Sequence, residues 1–351
     1  MTGEVSQGPL RVLVVDDSAY TRRSITEILS ASGDIEVVGK AADGDEALSL
    51  IKVYHPDVIT LDLEMPRMDG FTFLRILMTT HPLPVIVVSS YGQRDKVFRA
   101  LELGAMDFVV KPDRYADAEL TGIQGELLDK VRLARRARRT PARPIREIVP
   151  ATKLQVPAGG VIPKRLIAIA SSTGGPTALL ETLSQIPERY PHAVVIAQHM
   201  PEKFTATFSE RLDRRCKLQV AEARDEQVLM AGMAVVCPGK RCLEVEEVAG
   251  QIVLRVLPPM PHDRYVPSAD RLLASAARAV GSRSVGLVLT GMGDDGAKGA
   301  VAIHAAGGYV VAESEATAVV YGMPGAAVRQ GAVDRSLPLP AIGAWLAEIA
   351  G

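Results

Sequence analysis

The pattern that most limits what this chain can fold into is a succession of short β-branched runs, several ending in a polar or charged residue, separated by stretches with apolar residues at helical spacing. Through the first 130 residues the runs cover 10–15, 36–41, 58–61, 85–88 and 107–110, with helical patterns such as 45–54 and 70–80 between them. Five such strands separated by helices predict a doubly wound α/β domain, a five-stranded parallel sheet with helices on both faces.

A sheet of this kind presents its functional groups beyond the carboxyl ends of its strands. Asp16 and Asp17 follow the first run there, Asp62 the third, Ser89 the fourth and Lys111 the fifth. A lone acidic residue after a strand is often only a helix N-cap, and that reading serves for Asp16 or Asp17 taken alone. It leaves Ser89 and Lys111 unaccounted for. Three clustered carboxylates raise one another's pKa unless a cation neutralises them. All-oxygen ligation with room for water suits Mg2+. A carboxylate beside such an ion can accept a phosphoryl group, with Lys111 balancing the charge of the adduct.

A further helical face (Leu120, Ile123, Leu127, Leu128, Val131) runs into a basic tract. Residues 130–165 hold 11 Lys and Arg against one Asp or Glu, and Pro141, Pro144, Pro150, Pro157 and Pro163 interrupt any regular element, which marks a linker. A second α/β pattern then begins. Its expected strands are 166–170, 193–198, 285–289 and 309–312, and its helices 176–186, 202–214, 268–280 and 296–306. The runs 234–236, 242–248 and 251–257 are expected to form an antiparallel hairpin section. The resulting boundaries are 8–130, a linker at 131–164, and 165–351.

At 351 residues and 47% hydrophobic content the chain can build two cores. Its 40 Lys and Arg balance 41 Asp and Glu, which excludes a surface made throughout to attract nucleic acid or anionic lipid. Cys216, Cys237 and Cys242 have the spacing of neither a disulfide framework nor a zinc site. The chain has no signal-peptide pattern and no apolar run of roughly 18–20 residues to span a bilayer. A cytoplasmic protein without membrane insertion is expected.

The second pattern carries its own chemistry. Residues 167–176, Ile-Ala-Ile-Ala-Ser-Ser-Thr-Gly-Gly-Pro, read as a buried strand, a Gly-rich turn and a helix opened by proline. A serine at such a turn is held at the sheet edge, with helix N–H groups behind it for an oxyanion. Ser172 is the candidate nucleophile. The turn alone also admits a phosphate site or a purely structural role, although no P-loop lysine and no GxGxxG accompanies it. His199 ends the next strand in Gln-His-Met-Pro, at the same edge, where an isolated histidine would otherwise be a satisfied structural residue. The run Thr-Gly-Met-Gly-Asp-Asp-Gly (290–296) brings two carboxylates there, one of which could orient the imidazole.

Several of these residues resemble known families. Val-Val-Asp-Asp-Ser (14–18), Leu-Asp-Leu-Glu-Met-Pro-Arg-Met-Asp-Gly (61–70), Val-Ser-Ser (88–90) and Lys-Pro (111–112) are similar to the signature of two-component receiver domains. The resemblance implies a flavodoxin-like domain phosphorylated on Asp62 by a histidine kinase. It further implies Mg2+ held by Asp17, Asp62 and the Glu64 carbonyl, with Asp16 in the outer shell. Ser89 and Lys111 would respond to the phosphoryl group, and Phe108 stands where the family often has an aromatic switch residue. A core phenylalanine is the competing reading for Phe108.

The segments around Ser172, His199 and 290–296, together with Pro-Gly (238–239), Pro-Ser-Ala-Asp (267–270) and Tyr-Gly-Met-Pro (321–324), resemble the catalytic domain of the CheB family of protein-glutamate methylesterases. This implies an α/β domain with a mostly parallel sheet. Ser172 would be nucleophile, His199 general base and then acid, Asp295 the orienting carboxylate, and the Met292 N–H an oxyanion donor, with no cofactor for the ester chemistry. The implied substrates are glutamate γ-methyl esters, and glutamines, on methyl-accepting chemoreceptor helices. Ala170, where the family usually has Gly, makes Ser171 a rival for the nucleophile. Cys242 stands where the family often has His. The competing class is a non-enzymatic response regulator whose second domain binds protein or nucleic acid. Its only support is the Arg-rich linker, since no recognition-helix pattern follows Arg165.

Overall fold

A computed structural model of the chain describes residues 8–111, 120–135 and 161–350. Pro112 and the linker between 136 and 160 lie outside the described residues. The chain divides into two compact units, one within 1–144 and the other within 145–351.

In the first unit, strands β1 (Leu10–Val15), β2 (Ile35–Ala41), β3 (Val58–Leu61), β4 (Val85–Ser90) and β5 (Asp107–Lys111) form one parallel sheet in the order β2-β1-β3-β4-β5. Helices α1 (Ala19–Ser30), α2 (Gly44–Tyr54), α3 (Gly70–Thr80), α4 (Arg94–Glu102) and α5 (Leu120–Ala134) alternate with the strands. β3 is buried along its whole length, as a strand covered on both faces must be. The order reverses between β1 and β3, so the loops after these two strands frame the crevice. The N-caps of α1, α2 and α3 are Ser18, Asp43 and Asp69, whose side chains each accept an N–H three residues on. Neither Asp16 nor Asp17 caps α1, and both remain for other work. α5 runs to Ala134, four residues beyond the expected end of the domain at Lys130.

The second unit contains β6 (Leu166–Ser171), α6 (Gly175–Leu183), β7 (Ala193–Gln198), α7 (Glu202–Arg215), β8 (Gln219–Glu222), β9 (Val228–Leu229) and β10 (Met233–Val236). It continues through β11 (Cys242–Val248), β12 (Gln251–Leu257), α8 (Ala269–Val280), β13 (Ser284–Val288), α9 (Ala297–Ala305), β14 (Tyr309–Glu313), α10 (Met323–Arg329), β15 (Arg335–Leu337) and α11 (Leu339–Glu348). Seven strands make a parallel sheet in the order β15-β14-β13-β6-β7-β10-β8, and β11-β12-β9 make a separate antiparallel sheet. The run 234–236 is therefore not part of the hairpin section, as expected from sequence, but an inner strand of the main sheet. Its residues 234–236 are buried consecutively, and such a run has no alternation to distinguish a parallel strand from a hairpin.

β6 lies at the switch point, with β7 on one side and β13 on the other. The loops after β6, β7 and β13 thus meet at one edge. The centre is built from Leu166, Ile167, Ala168, Ile169, Val194, Val195, Leu287 and Val288, all without solvent exposure. Replacing Leu287 by Ala is expected to cost about 2–5 kcal/mol through lost burial and the cavity left behind. A lowered urea midpoint with an unchanged slope checks this, and an unmoved midpoint contradicts Leu287 as a central core residue.

Candidate active site and phosphoacceptor site

At the switch point of the first sheet, one carboxylate oxygen from each of Asp16, Asp17 and Asp62 lies within 4.8 Å of the others. Asp16 and Asp62 are buried and Asp17 is exposed. Lys111 Nζ donates to Asp16 Oδ2 at 2.7 Å and to Asp62 Oδ2 at 2.9 Å. Burial pushes the Asp16 carboxyl up, the Asp62 charge adding to this against the pull of Lys111. Burial acts to lower the Lys111 ammonium, but Asp62 and Asp16 outweigh it and hold it above its ordinary value. One ammonium cannot balance three carboxylates. The remaining negative charge and the oxygen-only donor set fit a hard divalent cation.

The other residues of this site take distinct places. The Glu64 carboxylate turns to Lys96 and is not among the carboxylates of the cluster. Ser89 is buried and its hydroxyl donates to Gln93 Oε1 at 2.5 Å. Phe108 is buried in β5 with the Lys130 ammonium 5.2 Å from its ring centre.

In the second unit, His199 Nε2 lies 2.8 Å from Asp295 Oδ2. Asp295 is 1% exposed, and its oxygens also accept the N–H groups of Ala269 (2.7 Å), Asp270 (2.8 Å) and Gly296 (3.1 Å). Two of these are first-turn amides of α8, which have no partner inside the helix. The carboxylate is thus compensated at a positive helix end while it fixes the imidazole. In the tautomer that gives Nε2–H to Asp295, the lone pair of the neutral ring is on Nδ1. Of the two carboxylates in the 290–296 run, Asp294 turns outward to Arg264 and Tyr265.

The serines separate clearly. Ser171 is fully buried, and its hydroxyl donates to Gln198 Oε1 at 2.7 Å. Gln198 Nε2 in turn donates to the carbonyls of Ser172 and His199, each at 2.9 Å. Ser171 therefore orients the amide that ties the two loops together, while Ser172 is half-buried at the edge. The Ser172 N–H donates to the Thr290 carbonyl at 3.0 Å. A side-chain bond between Ser172 and His199 is not formed among the described residues, a gap that commonly closes only with substrate bound.

Sequence reasoning missed Gln198 and Tyr265 as site residues. Ser171 and Gln198 are register partners on adjacent strands, a pairing visible only once the strand order is known. The Tyr265 ring stacks on His199 with centroids 5.3 Å apart at 8°, and its hydroxyl donates to Asp294 at 3.0 Å. It lies between β12 and α8, in a stretch without periodicity. Gly293 admits it: a Cβ there would stand 2.3 Å from the tyrosine oxygen, and φ is +85°. Met292 is 42% exposed, and its N–H meets no acceptor among the described residues. Cys242 is buried with its thiol 3.6 Å from Asp263, and burial holds that thiol up.

The CheB methylesterase family profile matches residues 167–346, and the response regulator receiver domain profile matches residues 12–120. The chain belongs to the CheB methylesterase family. It is 46% identical over 345 residues to a protein-glutamate methylesterase/protein-glutamine glutaminase of Myxococcus xanthus (strain DK1622), covering 98% of each chain. A similarly named protein of Anaeromyxobacter dehalogenans (strain 2CP-C) is 47% identical, covering 100% of this chain and 98% of its own. The crystal structure of the Thermotoga maritima CheB methylesterase catalytic domain is 34% identical with a TM-score of 0.51, covering 53% of this chain and 98% of that one. As a CheB-family chain it is a carboxylic ester hydrolase with a receiver domain, and the non-enzymatic alternative is set aside. No helix among the described residues is long and apolar enough to cross a membrane.

Gly291 offers a direct check on the CheB-type site. A Cβ there would lie 2.3 Å from Met323 Sδ and 2.8 Å from Ser172 Cβ. Gly291→Ala is expected to lower methanol release by about 100-fold by displacing the serine, with the far-ultraviolet circular dichroism spectrum retained. Full activity in the variant contradicts this packing.

Proposed function

We propose that Ser172, His199 and Asp295 are the catalytic residues of this methylesterase, and that phosphorylation of Asp62 controls them. The supporting observation is the His199–Asp295 bond on the loops beside the half-buried Ser172, at the switch point of the sheet. Ser172 Oγ attacks the γ-carbonyl carbon of a glutamate methyl ester while His199 Nδ1 takes its proton. Asp295 holds the ring and stabilises the imidazolium. The Met292 N–H donates to the oxyanion. The C–O bond breaks, methanol leaves with the proton from His199, and water then hydrolyses the acyl-serine to give glutamate. Glutamine side chains follow the same route with ammonia as leaving group.

The substrates in this reading are cytoplasmic helices of a methyl-accepting chemoreceptor, and the phosphodonor is a histidine kinase, which places the protein in the cytoplasm. Asp17, Asp62 and the Glu64 carbonyl would hold Mg2+, with Asp16 in the outer shell. The ion supplies charge neutralisation for the incoming phosphoryl group. Lys111 then pairs with the phosphoryl oxygens, and Ser89 and Phe108 shift in response. These changes link the added charge of roughly −2 to the hydrolase.

Two comparisons test the reading. Ser172→Ala is expected to lower methanol release from methylated receptor by several orders of magnitude, whereas Ser171→Ala, losing one hydrogen bond to Gln198, keeps activity within about tenfold. The reverse pattern makes Ser171 the nucleophile. Separately, a small phosphodonor with Mg2+ is expected to stimulate the wild type but not Asp62→Asn, and chelation is expected to remove the stimulation while sparing basal activity. Stimulation that survives both treatments rejects the receiver assignment.

A further inference from the structure

One buried acid in the second unit has no part in the triad. Glu313 ends β14, beside β13 in the main sheet, and is 1% exposed. Its Oε2 accepts the Thr290 N–H at 2.9 Å and its Oε1 accepts the Thr317 hydroxyl, also at 2.9 Å. Thr290 is the hub of the site. Its carbonyl accepts the Ser172 N–H, its hydroxyl donates to the Thr173 carbonyl at 2.9 Å, and the same oxygen accepts the Val320 N–H at 3.0 Å. One residue therefore stands between a buried carboxyl and the nucleophile turn.

We infer that Glu313 is a positioning residue for the nucleophile, its ionised form holding Thr290 and through it Ser172, so that the esterase gains activity as Glu313 loses its proton. The bonding pattern is that of the carboxylate, with both oxygens accepting. An acceptor that carries a charge bonds an N–H about twice as strongly as a neutral one. Protonation puts a donor on one oxygen, reverses the bond to Thr317 and weakens the hold on Thr290.

The surroundings place this exchange where it matters. Burial pushes the Glu313 carboxyl up to about 7, the Glu181 charge on α6 adding to this, while the Thr290 N–H and the Thr317 hydroxyl act to lower it. No ion pair to Glu313 is formed among the described residues. The carboxyl thus exchanges its proton near neutral pH.

This inference rests on Ser172 being the nucleophile, and the experiment separates the two. Methanol release from a chemoreceptor cytoplasmic fragment esterified on its glutamates is followed from about pH 5.5 to about pH 9, a range that brackets the Glu313 exchange. The unphosphorylated full-length wild type, Glu313→Gln, Thr317→Val and Ser172→Ala are compared. The ratio of wild type to Glu313→Gln cancels every pH effect common to both. It is expected to rise from near one in acid to about five at alkaline pH, the effect of replacing a charge-assisted bond by a neutral one. A ratio that is flat, or that falls with pH, overturns the inference. Thr317→Val removes a donor that favours the ionised form, and is expected to move the wild-type inflection to higher pH. An unmoved inflection also overturns it, and this variant decides the matter if Glu313→Gln does not fold. Activity surviving in Ser172→Ala rejects the nucleophile and the inference together, whereas an inactive Ser172→Ala with a flat ratio rejects only the role of Glu313.

Discussion

The catalytic unit depends on one buried carboxylate. An ionised group without compensation in a protein interior costs roughly several kcal/mol, so Asp295 can be there only because three backbone N–H groups and an imidazole meet it. Two of those amides open α8. The same bonds that satisfy a helix end therefore fix the position of His199, and the proposed triad depends on the packing of α8 against the sheet. Tyr265 closes the other side of the ring, and Gln198 ties the carbonyls of Ser172 and His199. Ligand-side loops of an open parallel sheet converge wherever strand order reverses, and here that crevice receives Ser172, His199 and Asp295 from the loops after three separate strands.

The receiver unit uses the same topology for an opposite electrostatic end. In the hydrolase the acidic group is paired and capped by neutral amides, whereas in the cluster of Asp16, Asp17 and Asp62 only the first and last pair with the Lys111 ammonium, which leaves an excess of negative charge. That excess and the oxygen-only donor set fit a divalent cation. Where backbone N–H groups outnumber carboxylates, an acid becomes a fixed structural and catalytic element. Where carboxylates outnumber cations, the site is left to bind something more.

How much of this was legible in the sequence follows from which interactions are local. β-branched runs and the helices between them pointed to both α/β domains, and the residues just past the strands to most of those that the fold brings to the two candidate sites. The placement of β10 was lost because a short, continuously buried run carries no period. β15 was missed as a three-residue strand with two exposed positions, and α10 and α11 because alanine, glycine and proline blur the helical pattern. Ser171 could be told from Ser172 only by register. β6 and β7 set Ser171 opposite Gln198, and that pairing, absent from any local motif, turns one hydroxyl inward and leaves its neighbour at the edge.

The proposed nucleophile is Ser172, activated by His199. The most direct measurement is tandem mass spectrometry of the full chain after reaction with a fluorophosphonate, which forms a stable covalent adduct with an activated serine. One adduct is expected, on Ser172, formed rapidly by the wild type and lost in His199→Ala. An adduct on Ser171, or one on Ser172 that forms equally fast without His199, contradicts it.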